Sequence, residues 1–288
     1  MSTSRIFVVT GSNKGIGYGI VKALCKEAGN DAVVYLTARS VERGNEAVKA
    51  LNKLGLKPAF HPLDVDDASS IETFANFLKK EHGGLDVLVN NAAMAFKNAA
   101  TESMAVQAKE TIRVNYFGLQ AVCRALFPLL RSHARVVNVS SCVGHLSKVP
   151  GEQLRSTLAS PDLTEQQLDD LMTGFVKAAG DGSHEALGWQ NSTYSVSKVG
   201  VSALTRIQQK QLDADTTRED IVINHVHPGY VDTDMTSHKG TLTIEAGAAA
   251  PTYLALLPPN CSSPRGEYVW HDKRLVDWVN EANPAPGF

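Results

Sequence analysis

The stretch Arg5-Ile6-Phe7-Val8-Val9-Thr10-Gly11-Ser12-Asn13-Lys14-Gly15-Ile16-Gly17 decides the fold. Arg5 to Thr10 is a β-branched apolar run, and Gly15 to Lys26 carries apolar residues at helical spacing. Between them, three glycines let the backbone turn sharply, approach a pyrophosphate closely and pack the following helix on a sheet, while the helix N-terminus favours negative charge. A glycine triplet by itself is as often a tight turn. Placed between a strand and a helix it reads as a dinucleotide site.

Working outward, the alternation continues. Ala32 to Ala38 is a second apolar run and Val41 to Leu54 a second amphipathic helix; 58–63, 71–80, 85–89, a long helical stretch ending near Leu130, and 135–140 extend it. After Tyr194 come a helix to about Leu212, a strand over 221–227, a helix around 246–256 and a strand over 267–270. This pattern predicts an α/β fold, a single doubly wound parallel sheet of Rossmann type. We expect one domain over 1–288, with a helical insertion at about 145–190 and a frayed tail from Asn283 to Phe288.

A formal net charge of −2, with no Lys/Arg run, leaves no electrostatic footprint for nucleic acid or an anionic membrane, so the expected partner is a small molecule. The four cysteines, Cys25, Cys123, Cys142 and Cys261, have no paired spacing, which argues against a disulfide framework and a zinc site. His225 and His227 alternate on one strand face without an evident third ligand, so no metal is expected. With no signal-peptide pattern and no run of about 18 apolar residues, the expected location is cytoplasmic.

Charge selects the dinucleotide. A NAD site places an acidic residue about 20 residues on, at the ribose 2′-OH. Here the second strand ends Thr37-Ala38-Arg39, without a carboxylate, and Lys14 sits in the glycine turn. Two cations suit a 2′-phosphate, although both also fit as solvated surface charges. The expected cofactor is NADP(H).

Tyr194-Ser195-Val196-Ser197-Lys198 puts a tyrosine and a lysine four apart on a helix, roughly 5–6 Å apart at Cβ, where the ammonium would lower the pKa of the phenol. In isolation such a pair is usually a packing residue and a solvated end. In company with the glycine turn and a serine at the end of a buried strand, it reads as a proton donor and its electrostatic partner.

These motifs, together with Asp64-Val65, Asn90-Asn91-Ala92, Asn115, Val139-Ser140-Ser141 and Pro228-Gly229-Tyr230-Val231 followed by Thr233-Asp234-Met235, resemble the short-chain dehydrogenase/reductase superfamily, and within it the monomeric NADPH-dependent carbonyl reductases, over nearly the whole chain. The resemblance implies that the Gly11 to Gly17 turn (Gly11, Ser12, Asn13, Lys14, Gly15, Ile16, Gly17) and Arg39 hold the dinucleotide. It implies that Asp64 and Val65 contact the adenine, that the Asn90-Asn91-Ala92 turn supports the adenosine ribose and the sheet, and that Pro228, Gly229, Val231, Thr233, Asp234 and Met235 line the nicotinamide. Ser141, Tyr194 and Lys198 would be the catalytic triad, with Asn115 carrying a water to Lys198. Asn115 also reads as a buried amide satisfying a kinked helix. Ser141 is chosen over Ser140 because Gly144 completes the family's Ser-x-x-Gly. Hydride transfer from the B face follows from the same resemblance.

The chemistry is reduction of a ketone or aldehyde, which needs hydride at carbon and a proton at oxygen. Tyr194 is the acid and Ser141 the oxyanion donor; Lys198 acts on the phenol and on the nicotinamide ribose. Candidate pocket residues are Met94, Phe96, Gln107, Cys142, Trp189, Tyr230 and Met235. Cys142 reads as a pocket wall, or less often as a redox-sensitive thiol.

Three departures stand out. The usual Asn-Asn-Ala-Gly becomes Asn90-Asn91-Ala92-Ala93, which costs about 1 kcal/mol if position 93 requires positive φ. His227 and Tyr230 stand where vertebrate carbonyl reductases have cysteine and tryptophan, so binding of glutathione conjugates is not expected. Some forty extra residues separate Ser141 from Tyr194. Within them Thr164-Glu165-Gln166-Gln167 reads as a capping box opening an amphipathic helix, with Leu168, Leu171, Met172, Phe175, Val176 and Ala179 as its stripe, ending at Gly180. In the carbonyl reductases such an insertion covers the helices that oligomeric relatives use for association, which implies a monomer. The expected activity is NADPH-dependent reduction of aldehydes, ketones or quinones, of the kind used in xenobiotic metabolism. A narrow steroid, prostaglandin or pterin dehydrogenase and a catalytically idle NADP(H)-binding regulator are the alternatives.

Overall fold

The computed structural model of the chain describes residues 4–97 and 99–284. Residues 285–288 of the tail expected to fray lie outside the described residues. Among those described, one eight-stranded sheet is built from β1 (Arg5–Val9), β2 (Ala32–Ala38), β3 (Ala59–Pro62), β4 (Leu85–Asn90), β5 (Leu130–Val139), β6 (Val222–Val226), β7 (Tyr268–Val269) and β8 (Leu275–Val276). Their spatial order is β3-β2-β1-β4-β5-β6-β7-β8. The first seven run parallel and β8 pairs antiparallel with β7.

Helices cover both faces, which is why the central strands read as continuous apolar runs. In β1, Phe7 and Val9 pack with Ile20, Val21 and Leu24 of α1 (Gly15–Ala28) and with Leu51 of α2 (Val41–Asn52). Ile6 and Val8 pack on the other face, with Phe74 and Leu78 of α3 (Ala68–His82). Strand order reverses direction between β1 and β4. That switch point opens a crevice beyond their carboxyl ends, and the glycine turn sits in it.

The long helix expected before Leu130 is broken. It comprises α4 (Met104–Ile112), a π-helical turn over Arg113–Gly118 and α5 (Leu119–Leu126), and Pro128 lies in the 3-10 turn that ends it. β5 begins at Leu130, five residues earlier than the apolar run at 135–140 suggests.

Between β5 and α8 (Thr193–Asp213) lie α6 (Glu152–Ala159), which the sequence reading did not find, and α7 (Glu165–Asp181). Both bonds of the capping box at Thr164 are made: Gln167 N–H donates to Thr164 Oγ1 at 3.2 Å and Thr164 N–H to Gln167 Oε1 at 2.9 Å. Leu168, Met172, Phe175 and Ala179 are buried, and α7 packs on α4 and α8. Tyr116 Oη and Gln120 Nε2 both donate to Asp169 Oδ1, at 2.8 and 2.7 Å, tying α7 to the kinked helix. The last helix, α9 (Ile244–Ala255), packs against α1. Among the described residues no helix is long and apolar enough to cross a membrane.

Candidate active site

The crevice at the switch point is a cleft of about 870 Å³. Its floor is the turn between β1 and α1. Gly11 has φ +60°, and a Cβ there would stand 2.8 Å from Ala92 Cα, so only glycine brings the two loops this close. Asn91 Nδ2 donates to the carbonyls of Thr10 and Gly11, both at 3.0 Å, and a Cβ on Gly17 would lie 2.4 Å from that same nitrogen. Ser12 is fully buried. Its hydroxyl donates to Val9 O at 2.8 Å and accepts from Thr37 N–H at 3.0 Å, fastening the turn to β2. Of the expected cofactor residues, Asn13, Lys14, Gly15, Ile16, Asp64, Val65, Asn91, Ala92, Pro228, Thr233, Asp234 and Met235 line the cleft, whereas Ser12, Gly17, Gly229 and Val231 lie off its lining, Ser12 and Gly17 being taken up in packing the turn. Ala93 also lines the cleft and is not among the positive-φ residues, so its methyl carries no left-handed strain.

At the end beyond β2, Arg39 is joined by Ser40 and Arg43. Ser40 caps α2 by accepting from Arg43 N–H, which sets the Arg43 side chain in the first helical turn beside Arg39. Sequence reasoning missed Arg43, although a cation one turn into the helix after β2 was there to be counted. Lys14 pairs with Asp234 at 2.6 Å, both side chains being well exposed. Lys97 Nζ donates to the carbonyl of Asp234 and to Ser237 Oγ, so two cations from opposite walls hold the Asp232–Lys239 loop across the cleft.

The other end lies where β5 meets α8. Ser192 caps α8 by accepting from Ser195 N–H at 3.3 Å, which places Tyr194 in the first turn and Lys198 one turn deeper. Lys198 is 3% exposed and donates from Nζ to Val139 O at 2.7 Å, with the ammonium 5.7 Å from the centre of the Tyr194 ring. The two serines differ in their bonds, although it is Ser140 that belongs to the cleft lining and Ser141 lies just off it. Ser140 is buried, its hydroxyl engaged with Lys198 O at 3.2 Å and with Ser202 Oγ at 2.8 Å. Ser141 caps the 3-10 turn of 142–144, and its hydroxyl lies close enough to the Tyr194 phenol to favour the ionised form.

Electrostatics differ here from the sequence expectation. Burial pushes the Tyr194 phenol up to about 12, with nearby Cys142 adding to the rise and the Ser141 hydroxyl opposing it. Lys198 does not lower it: Nζ is turned onto Val139 O, and burial sets the direction of the shift. Lys198 itself is pulled down by burial to about 8.

Asn115 lies in the π turn, 1% exposed. Its Nδ2 donates to Met94 O at 2.9 Å and Ser197 Oγ at 3.0 Å, and its Oδ1 accepts from Met94 N–H at 2.8 Å. Those bonds meet the reading of a buried amide at a helix kink and hold Met94 at the cleft wall. Of the other pocket candidates, Met235 lines the cleft as Met94 does. Trp189 does not: it is 4% exposed and packs 5.4 Å from Phe175 in the core beneath α7. Gln107 is turned onto Glu102 O at 2.9 Å, and Phe96 also lies off the cleft lining. Cys142 is half-buried beside Ser141 with its thiol pushed up by burial, and the Tyr230 carbonyl accepts from Thr241 and Leu242 N–H. Among the described residues no three metal-ligating side chains converge.

A cleft with a glycine floor, cations at one end and a tyrosine, lysine and serine at the other is built to hold a phosphorylated dinucleotide against a proton donor. The comparisons agree with that chemistry. The chain is 44% identical over 280 residues to carbonyl reductase (NADPH) 1 of Rattus norvegicus, covering 96% of this chain and 100% of that protein. Among solved structures, salutaridine reductase from Papaver somniferum superposes with a TM-score of 0.82 at 32% identity, covering 92% of this chain and 99% of that one. The NADPH-bound carbonyl reductase from chicken fatty liver does so with 0.68 at 25% identity, covering 96% and 99%. The family model described as short chain dehydrogenase matches residues 5–153. This chain belongs to the short-chain dehydrogenase family.

Proposed function

We propose that this protein reduces aldehyde, ketone or quinone carbonyls with NADPH, Tyr194 supplying the proton. One observation carries the reading: Tyr194, beside Ser141 and backed by buried Lys198, lines the same single cleft as Arg39 and Arg43 beyond β2 and Lys14 of the glycine turn. NADP(H) fits the residues present, since the Gly11–Ala92 approach leaves the turn backbone free to face a pyrophosphate and the three cations suit a 2′-phosphate. When bound, it supplies the hydride.

The chain's residues do the rest. With its pKa near 12, Tyr194 keeps its proton throughout the neutral range and surrenders it only as charge develops on the carbonyl oxygen. Ser141 donates to that same oxygen, an oxyanion contact whose value is greatest in the transition state. Lys198 stays charged at neutral pH, and its ammonium near the ring stabilises the phenolate left behind. The test is NADPH oxidation by purified protein with a reactive quinone and with an aldehyde, beside NADH; no turnover on any carbonyl would refute the reading.

A pH dependence follows from the two shifts. Lys198 has a lowered pKa near 8, so its ammonium is present below that and lost as pH rises through it, while Tyr194 remains protonated to about 12. The expected kcat/KM profile is therefore level through neutrality and falls above pH of about 8. A rate that climbs from pH 7 to 10 would contradict this assignment of Lys198.

We read the chain as one domain that works as a monomer in the cytoplasm. In support, α7 buries its apolar stripe on α4 and α8 of its own chain, so those helix faces are already covered. Sedimentation at micromolar concentration is expected to give a single species of monomer mass; a stable dimer or tetramer would exclude it.

A further inference from the structure

We infer that His227 is a positioning residue for Ser141, its imidazole Nδ1 taking the place of a backbone acceptor where the sheet ends. This rests on the proposed role of Ser141 in carbonyl reduction. The parallel ladder between β5 and β6 runs through Val139 opposite Val226, and one step further Ser140 N–H donates to Val226 O at 2.8 Å. In a parallel pair alternate residues donate, so the next donor is Cys142 N–H, and its ladder partner would be the carbonyl of residue 228. Pro228 and Gly229 leave the sheet there, Gly229 with φ +90°. Cys142 N–H instead donates to His227 Nδ1 at 3.1 Å. The side chain thus carries the ladder one rung beyond the strand.

The surroundings fix the ring in the form this bond requires. His227 is 2% exposed, and its own N–H donates to Val269 O at 2.9 Å. The ring lies 4.4 Å from Trp270 at an interplanar angle of 57°, with His271 6.0 Å away, and Nε2 has no nitrogen or oxygen partner. With Nδ1 accepting, the proton of the neutral ring is on Nε2, facing the aromatic surroundings. Burial, assisted by His271, holds the ring pKa down to about 3, so the acceptor persists across the working pH range.

Ser141 is consequently clamped on both sides by β6 and the residue that follows it: Ser140 N–H on Val226 O and Cys142 N–H on His227 Nδ1. The turn beyond is pressed on the catalytic helix, since a Cβ at Gly144 would lie 2.6 Å from the Lys198 Cβ. Releasing one clamp lets the seryl hydroxyl drift from the Tyr194 phenol while the dinucleotide end of the cleft is untouched. A misplacement of about 1 Å in such a site costs up to about 10²-fold in rate.

The test compares His227→Asn, whose Oδ1 occupies the position of Nδ1 and accepts, with His227→Gln and His227→Leu, which offer no acceptor there. Two readouts are taken: kcat for carbonyl reduction with the NADPH Kd, and hydrogen exchange at the Cys142 amide, which needs no activity. The expected result is a kcat lower by about tenfold or more in His227→Gln and His227→Leu with NADPH Kd unchanged, faster Cys142 exchange in both, and both properties restored in His227→Asn. Should His227→Leu fail to fold, the Gln and Asn variants alone make the comparison. Wild-type kcat in His227→Gln, or loss in His227→Asn equal to that in His227→Gln, would overturn the inference, as would unchanged Cys142 exchange. Wild-type protein that turns over no carbonyl, with Cys142 exchange still governed by His227, would overturn the reductase reading instead and leave the tether standing.

Discussion

Tyr194→Phe is expected to lower kcat/KM for carbonyl reduction by about 10²–10⁴-fold, the usual worth of a positioned general acid, with NADPH affinity close to wild type. The substitution keeps the half-buried ring and the helical turn capped by Ser192, and removes only the hydroxyl that meets Ser141. Lys198 does not depend on that hydroxyl for its place, because Nζ is held by Val139 O. The cofactor end of the cleft is set by the glycine turn and the cations beyond β2, which the phenol does not touch. Steady-state turnover with a quinone and an aldehyde, together with fluorescence titration of NADPH, checks both halves. A loss smaller than about tenfold would show that another group or water delivers the proton. Loss of NADPH binding alongside activity would mean that the hydroxyl positions the cofactor rather than protonating the product.

Much of this was legible in the sequence because it is written in local patterns. The continuous apolar run in β1 specifies a strand covered on both faces, and the glycines after it specify the turn that Gly11 and Gly17 make against Ala92 and Asn91. The capping box at Thr164 is a four-residue signal, and α7 begins where it says. What escaped depends on contacts distant along the chain. Residues 113–118, Arg-Val-Asn-Tyr-Phe-Gly, are weak helix formers apart from Arg113, which agrees with a kink at Asn115 but does not specify a π turn; that turn is accompanied by Asn115 bonding Met94, 21 residues away. β5 starts early because Leu85 of β4 pairs with Leu130, and Arg135 tolerates full burial because Asp220 and the carbonyls of Leu257 and Pro258 surround its guanidinium. β8 is two residues long, below what periodicity detects. The i, i+4 spacing brought Lys198 to Tyr194 correctly, but the phenol's acidity was misjudged because burial is a property of the packed site and not of the spacing.

Replacing Lys14 and Arg39 together by glutamine is expected to weaken NADPH binding by roughly 10²-fold or more while leaving NADH binding nearly unchanged, so that the coenzyme preference collapses. The end of β2 offers no carboxylate to a ribose 2′-OH, whereas Arg39 and Arg43 line the cleft there and Lys14 lines it from the glycine turn. A hydrogen bond to a charged group contributes about 1.5–3 kcal/mol, so two such contacts to a 2′-phosphate amount to about 3–6 kcal/mol, or roughly 10²–10⁴ in Kd. Both side chains are exposed, where water and salt screen them, which favours the lower end of that range. The Lys14–Asp234 pair does not oppose the contact much, since an exposed ion pair contributes only about 0–1 kcal/mol. Arg43 makes the argument sharper than two residues allow. One helical turn from Ser40, it can follow the phosphate when the other cations are gone, so the double variant keeps a residual preference that the further change Arg43→Gln removes. The ratio of NADPH to NADH Kd across wild type, double and triple variants, repeated at two salt concentrations, measures each contribution. An unchanged ratio in the triple variant, or a wild-type preference insensitive to salt, would mean that the 2′-phosphate is recognised by something other than this charge.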